Sequence, residues 1–142
     1  MFHVRNAVLA ALFAATPALA QEGTIPKAPV NLKEAEAQGL QRVSADELKA
    51  FMPGVNETRG PTGKSTRLFN PDGSFERKAF KTFTGKWRLD ADKNGYCLDV
   101  NKGKKFDRSC FAVFRAPQQG YYFDYDMEDG FYAHTWFPAK AE

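Results

Sequence analysis

A chain of 142 residues has room for one domain with one core and too little for two. Its 20 Lys and Arg against 17 Asp and Glu leave a net charge of only +3. That is far from the strong positive field on which nucleic-acid affinity rests, which excludes nucleic acid as a partner.

Residues 1–20 have a basic start at Arg5 and an apolar run from Ala7 to Ala15. Pro17 breaks the run, and Ala18 and Ala20 supply the small side chains of a signal peptidase site. The run falls short of the roughly 18 residues a spanning helix needs, and no later stretch reaches that length. Cleavage after Ala20 would start the mature chain at Gln21 and place it in the periplasm or medium, as an expected monomer without a transmembrane segment. It also removes Arg5, leaving 19 basic against 17 acidic residues.

Residues 21–42 carry Pro26 and Pro29 without apolar rhythm and read as a flexible leader. Within it Asn31 is a predicted N-cap, with Glu34 three residues on and Gly39 as the stop, giving a short helix. A stronger helix start follows. Ser44 and Glu47 form a capping box, Val43 can staple onto Leu48, and Pro53-Gly54 ends the helix. Leu48, Phe51 and Met52 make an apolar stripe, so this helix is expected to cover one end of the domain spanning 43–138, with 139–142 as a tail.

From Val55 the helical period disappears. Turn signals recur at Pro71-Asp72-Gly73, Asp92–Gly95, Lys102–Lys104, Gln118–Gly120 and Asp129-Gly130. They separate predicted strands near Ser65–Asn70, Ser74–Phe83, Lys86–Ala91, Tyr96–Val100, Phe106–Phe114, Tyr121–Glu128 and Phe131–Phe137. The fold class is therefore all-β with one or two short N-terminal helices, an antiparallel meander closing into a small barrel or a sandwich to protect its edges.

Two hairpins can be read to the level of register. Cys97 and Cys110 are an even pair in an oxidising compartment and read as one disulfide. Placed opposite each other they bring Asp99 to Arg108, Tyr96 to Phe111 and Leu98 to Ser109, with Tyr96, Leu98, Phe111 and Val113 on the apolar face. In the last hairpin a two-residue Asp129-Gly130 turn would set His134 opposite Tyr125 and Trp136 opposite Phe123. That register sends the aromatics inward and Asp124 and Asp126 outward. Phe123, Tyr125, His134 and Trp136 are then the candidate lining of a ligand pocket, with His134 hydrogen-bonded to Tyr125.

Charge is unevenly spread. Arg59, Lys64, Arg67, Arg77 and Lys78 form a basic stretch that could meet lipopolysaccharide, peptidoglycan or an acidic protein, whereas the last 25 residues are acidic. Gly60–Ser65 imitates a phosphate loop, but Thr58 stands where the first glycine is needed and a strand follows, so it is a turn. Asp90, Asp92 and Asn94 match half a calcium loop. Asn101 occupies the place of the bidentate glutamate, and a polar hairpin turn accounts for the segment. Asn56-Glu57-Thr58 has the form of a glycosylation sequon, discounted because the leader and composition read as bacterial. No Gly-x-Ser-x-Gly elbow exists to serve His134 in a triad, and His134 with two paired cysteines makes no common metal site. No catalytic residue and no cofactor are expected.

The order of Ser44–Leu48, Gly54, Asn70–Gly73, Gly85-Lys86-Trp87, Tyr96-Cys97-Leu98, Cys110 and Trp136 resembles the small secreted bacterial proteins grouped as domain of unknown function 995. The resemblance covers about Val43 to Phe137. It implies the compartment and a lipocalin-like barrel, and it brings no assigned reaction. Taken together, the residues point to a non-enzymatic envelope protein that binds a small apolar ligand or a protein. The alternative is an inhibitor or accessory subunit of an envelope enzyme.

Overall fold

The computed structural model describes residues 25–137; the expected signal peptide over 1–20, its cleavage site and the expected tail over 139–142 lie outside them. Two helices, α1 (Leu32–Ala37) and α2 (Ala45–Phe51), flank a short strand β1 (Arg42–Val43). Eight strands follow: β2 (Gly54–Gly60), β3 (Gly63–Phe69), β4 (Ser74–Lys78), β5 (Thr82–Asp90), β6 (Gly95–Lys102), β7 (Lys105–Arg115), β8 (Tyr122–Asp126) and β9 (Tyr132–Trp136). Each pairs antiparallel with the next, and β9 returns to β2 through Thr58↔Trp136 and Arg59↔Thr135, closing an eight-stranded barrel. Closure gives each of these eight strands a partner on both sides. β1 adds to β7 at Val43↔Val113.

Both predicted helix starts are present. Asn31 accepts from the Glu34 amide at 2.9 Å, and Ser44 and Glu47 exchange both capping-box bonds. Val43 and Leu48 are fully buried together, and with Met52 they seal one barrel end against Phe69, Phe75 and Trp136. The α2 end is thus apolar. The other end, at the β2–β3, β4–β5 and β6–β7 turns, is open.

The β6–β7 hairpin has the predicted register in full: Cys97↔Cys110, Asp99↔Arg108, Tyr96↔Phe111 and Leu98↔Ser109. Cys97 and Cys110 are bonded across a separation of 13 residues. Closing so short a loop restricts the unfolded chain by about 3 kcal/mol. A Cys97→Ala/Cys110→Ala variant is expected to lose about that much in urea unfolding; a loss below about 0.5 kcal/mol would place the stabilisation elsewhere.

Three strand expectations need correction. β2 was not predicted, because its inward positions are Asn56, Thr58 and Gly60, which line the polar half of the barrel and leave no apolar alternation. The single strand expected over Ser74–Phe83 breaks at Ala79–Lys81, a tight turn made without Gly, Pro, Asn or Asp. Gly85 lies inside β5, where an added Cβ would collide with the Asp99 carbonyl of β6, so this glycine permits a close strand approach.

The third correction is the β8–β9 register. The pairs are Tyr122↔Trp136, Phe123↔Thr135 and Asp124↔His134, shifting to Tyr125↔Tyr132 across a bulge. The Asp126 side chain accepts from the Glu128 amide at 2.7 Å, and the Gly130 amide returns to the Asp126 carbonyl at 2.9 Å. The loop therefore runs over four residues, Met127–Gly130, instead of two. The longer loop moves the pairing by two positions and keeps its parity; the bulge at Ala133 reverses it, and Asp124 turns inward beside Trp136.

The segment that reads as a flexible leader is packed from Pro26 onward. Pro29 is buried and its carbonyl accepts from Tyr125 Oη at 3.0 Å, while α1 lays Leu32 and Ala35 on Ala112, Phe114, Phe123 and Tyr125. A second apolar cluster thus forms outside the β7–β8 wall.

Candidate functional site

Strand alternation builds the site. In β3 the inward residues are Ser65, Arg67 and Phe69, and in β4 they are Phe75 and Arg77. Phe69↔Phe75 face the sealed end, and one step toward the open end the same ladder sets Arg67 opposite Arg77. β6 contributes Tyr96, β8 contributes Asp124, and β9 contributes His134 and Trp136.

Asp124 is fully buried and accepts from three donors. Trp136 Nε1 lies 3.0 Å from Oδ2, His134 Nδ1 lies 3.0 Å from Oδ1, and the Tyr96 hydroxyl makes a short bond to Oδ2. Arg67, also buried, reaches Tyr96 Oη through Nη1 at 3.1 Å, and its Nη2 lies 2.6 Å from His134 Nε2 and 2.8 Å from Nδ1; its Nη1 is 3.7 Å from Asp124 Oδ2. Tyr96 therefore bridges the ion pair, accepting from one partner and donating to the other.

Burial pushes the His134 imidazole below its ordinary value, and the Arg67 charge assists against the opposing pull of Asp124. The ring is neutral at pH 7, with its Nδ1 proton directed at Asp124 and Nε2 accepting from Arg67. Burial also opposes the Asp124 anion, but His134, Arg67 and Tyr96 outweigh it and hold the carboxyl below the usual range. Burial and the neighbouring carboxylate drive the Tyr96 phenol well upward, so it remains a donor.

Arg77 is different. Its guanidinium lies 4.4 Å from the centre of the Phe83 ring, its Nε, like that of Arg67, is buried without a hydrogen-bond partner, and it forms no ion pair among the described residues. Burial lowers its pKa and repulsion from Arg67 lowers it further. Like charges directly opposed across a ladder are destabilising. Asp124 neutralises Arg67, and the Arg77 charge is left over.

Above this network the open end forms a cavity of about 110 Å³. The β2–β3 turn, Arg77, Ala79 and Phe80 make its walls, and His134 contributes to its lining. Gly60 is required beside His134: an added Cβ would sit 2.8 Å from the Ala133 carbonyl and 3.1 Å from His134 Cδ2. Three larger grooves, of about 480, 660 and 370 Å³, lie elsewhere on the surface. In the first, Asp99 pairs with Arg108 at 2.7 Å and Arg88 with Asp90 at 3.0 Å; in the second, Arg42 donates to the Lys93 and Asn94 carbonyls at 2.9 and 3.2 Å.

No family model, curated protein or solved structure matches this chain.

The four expected pocket residues are divided by the wall. His134 and Trp136 lie inside; Phe123 and Tyr125 lie outside under α1 and the leader. His134 bonds Asp124 and Arg67 in place of Tyr125. The expected basic face is likewise divided. Arg67 is interior and Arg77 lines the mouth, while Arg59, Lys64 and Lys78 are exposed, the two lysines near Glu57 and Glu76 at 3.4 and 3.3 Å. In the half calcium loop, Asp90 accepts from the Lys93 amide and pairs with Arg88, and Asn94 Oδ1 accepts from the Ala45 amide at 2.9 Å. Those oxygens serve the turn and the start of α2. Asp124 and Tyr96 are the site residues that sequence reading missed. Asp126, whose side chain starts the turn, signals the longer loop but not the bulge that turns Asp124 inward.

Proposed function

We propose that this chain is a non-enzymatic, extracytoplasmic binding protein that takes a small oxyanion, a phosphate or short carboxylate, at the barrel mouth. The observation that carries this reading is Arg77: a half-buried cation with an unpartnered Nε, facing Arg67 across the ladder and lining a cavity beside Ser65 and Thr62. An anion there would relieve the like-charge repulsion and accept charge-assisted hydrogen bonds. The apolar ligand expected from the aromatic count is less well supported. Phe69 stacks on Trp136 at 5.6 Å and Tyr96 on Phe111 at 5.1 Å, and these rings occupy the sealed half. A role as general base is disfavoured for His134, whose two ring nitrogens are engaged by Asp124 and Arg67. Membership of the secreted family, and the leader that goes with it, belong to the same proposal.

Calorimetric titration with inorganic phosphate and with succinate, at constant ionic strength in chloride, tests the reading. Saturable binding is expected, weakened at least about tenfold in Arg77→Gln, because a charge-assisted bond is lost. Phosphate should also raise the melting temperature of the parent protein and not of the variant. Absence of binding, or equal binding by Arg77→Gln, would overturn it.

A further inference from the structure

Beyond the mouth itself, the geometry points to the open rim as a surface that docks on an anionic lipid bilayer. Two neighbouring hairpin tips share this end. The β4–β5 tip closes at Lys78↔Thr82, and the β6–β7 tip closes at Lys102↔Lys105. The two are in step, because β5 pairs with β6 and Asn101 Nδ2 donates to Thr84 Oγ1 at 3.2 Å near the tips. Each tip carries one large aromatic in solvent: Phe80 is 86% exposed and Phe106 is 72% exposed. These are the two most exposed large hydrophobic residues among those described.

Each aromatic has lysines beside it. Lys81 lies over both the Phe80 and Phe83 rings, and Lys104 and Lys105 precede Phe106. The acids on the tips are already occupied, Glu76 with Lys78 and Asp107 with Lys102 at 2.8 Å, leaving Lys81, Lys104 and Lys105 without an ion pair among the described residues. The acidic β8–β9 loop stands back from the tips, since Asp126 pairs with Phe111, six residues along β7 from its start at Lys105. A ring that enters the headgroup layer beside a lysine that stays at the phosphates is how peripheral proteins hold anionic membranes. A folded protein partner would be met by a broader apolar patch than two separated rings.

Co-sedimentation of the purified protein with vesicles tests the proposal. Vesicles of equimolar phosphatidylglycerol and phosphatidylcholine should bind it, pure phosphatidylcholine should not, and high salt should release it. Phe80→Ser/Phe106→Ser should lower partitioning roughly tenfold. Lys81→Glu/Lys104→Glu/Lys105→Glu should abolish it at unchanged melting temperature, because every altered side chain is exposed. Arg77→Gln, which removes the mouth anion site, should partition like the parent. Equal binding to both vesicle types, no effect of the phenylalanine pair, or loss confined to Arg77→Gln would overturn rim docking; the last would place the lipid headgroup in the mouth.

Discussion

Asp124→Asn is expected to destabilise the barrel by about 3–5 kcal/mol in urea unfolding, the cost of leaving a buried guanidinium without its counter-charge. The amide is nearly isosteric and its oxygen can still accept from Trp136 and Tyr96, while its NH2 replaces the acceptor of His134 Nδ1, so the loss reports the charge together with that bond. Arg67 has no route to solvent, being only 1% exposed. An Asp124→Asn/Arg67→Met variant should therefore recover much of the loss, because removing both charges of a buried pair is often close to neutral. If Asp124→Asn costs below about 1 kcal/mol, the network is held by hydrogen bonds alone. The same groups set an acid dependence. His134 is lowered from its ordinary 6.5, so below that pH the unfolded chain takes up a proton that the folded chain resists, and stability falls. Asp124, lowered from 3.8, adds a second loss that begins near that value and continues as pH drops through its folded pKa. Both losses have the same sign. His134→Gln should lack the first and show a smaller second, because His134 is one of the groups that hold Asp124 down.

Trp136→Ala should cost a similar amount, about 3–5 kcal/mol, for a different reason. Trp136 is 1% exposed, stacks on Phe69, meets Phe51 and Tyr96 edge-on, and lies under the Arg67 guanidinium. It also stands at the β9–β2 seam, where among the described residues Thr58↔Trp136 and Arg59↔Thr135 pair and the Phe137 amide donates to the Glu57 carbonyl. Its removal leaves a cavity at the weakest join of the barrel. Trp136→Phe separates the parts: most of the ring packing remains and the bond to Asp124 is lost, with an expected cost of about 1–2 kcal/mol. Equal losses for the two variants in urea unfolding would assign the role of Trp136 to its Nε1 bond and leave its packing immaterial.

What was legible in the residues depended on whether a local constraint set the parity of each strand. The cystine supplied one for β6–β7, and every partner from Tyr96 to Asp99 followed. The Ser44–Glu47 box did the same for α2. In β8–β9 the Asp-Gly pair suggested a two-residue turn; Asp126 opened the loop earlier, which keeps the parity, and the bulge at Ala133 changed it. A single residue of slip then moved Asp124 from solvent to the core. β2 was hidden because its inward positions face the polar end, so the residues that form the site erased the pattern that marks a strand. Arg67 and Arg77 were visible as basic residues, but their opposition across one ladder exists only in the folded sheet.

The claim that Arg77 is the anion receptor at the mouth can be tested directly at its own atom. Proton–nitrogen spectra of the arginine Nε–H groups, followed through a titration from chloride to phosphate at fixed ionic strength, should show the Arg77 resonance shifting and saturating. The exposed Arg59 and Arg108 should move little. A shift spread evenly over the surface arginines, with Arg77 unmoved, would contradict the account.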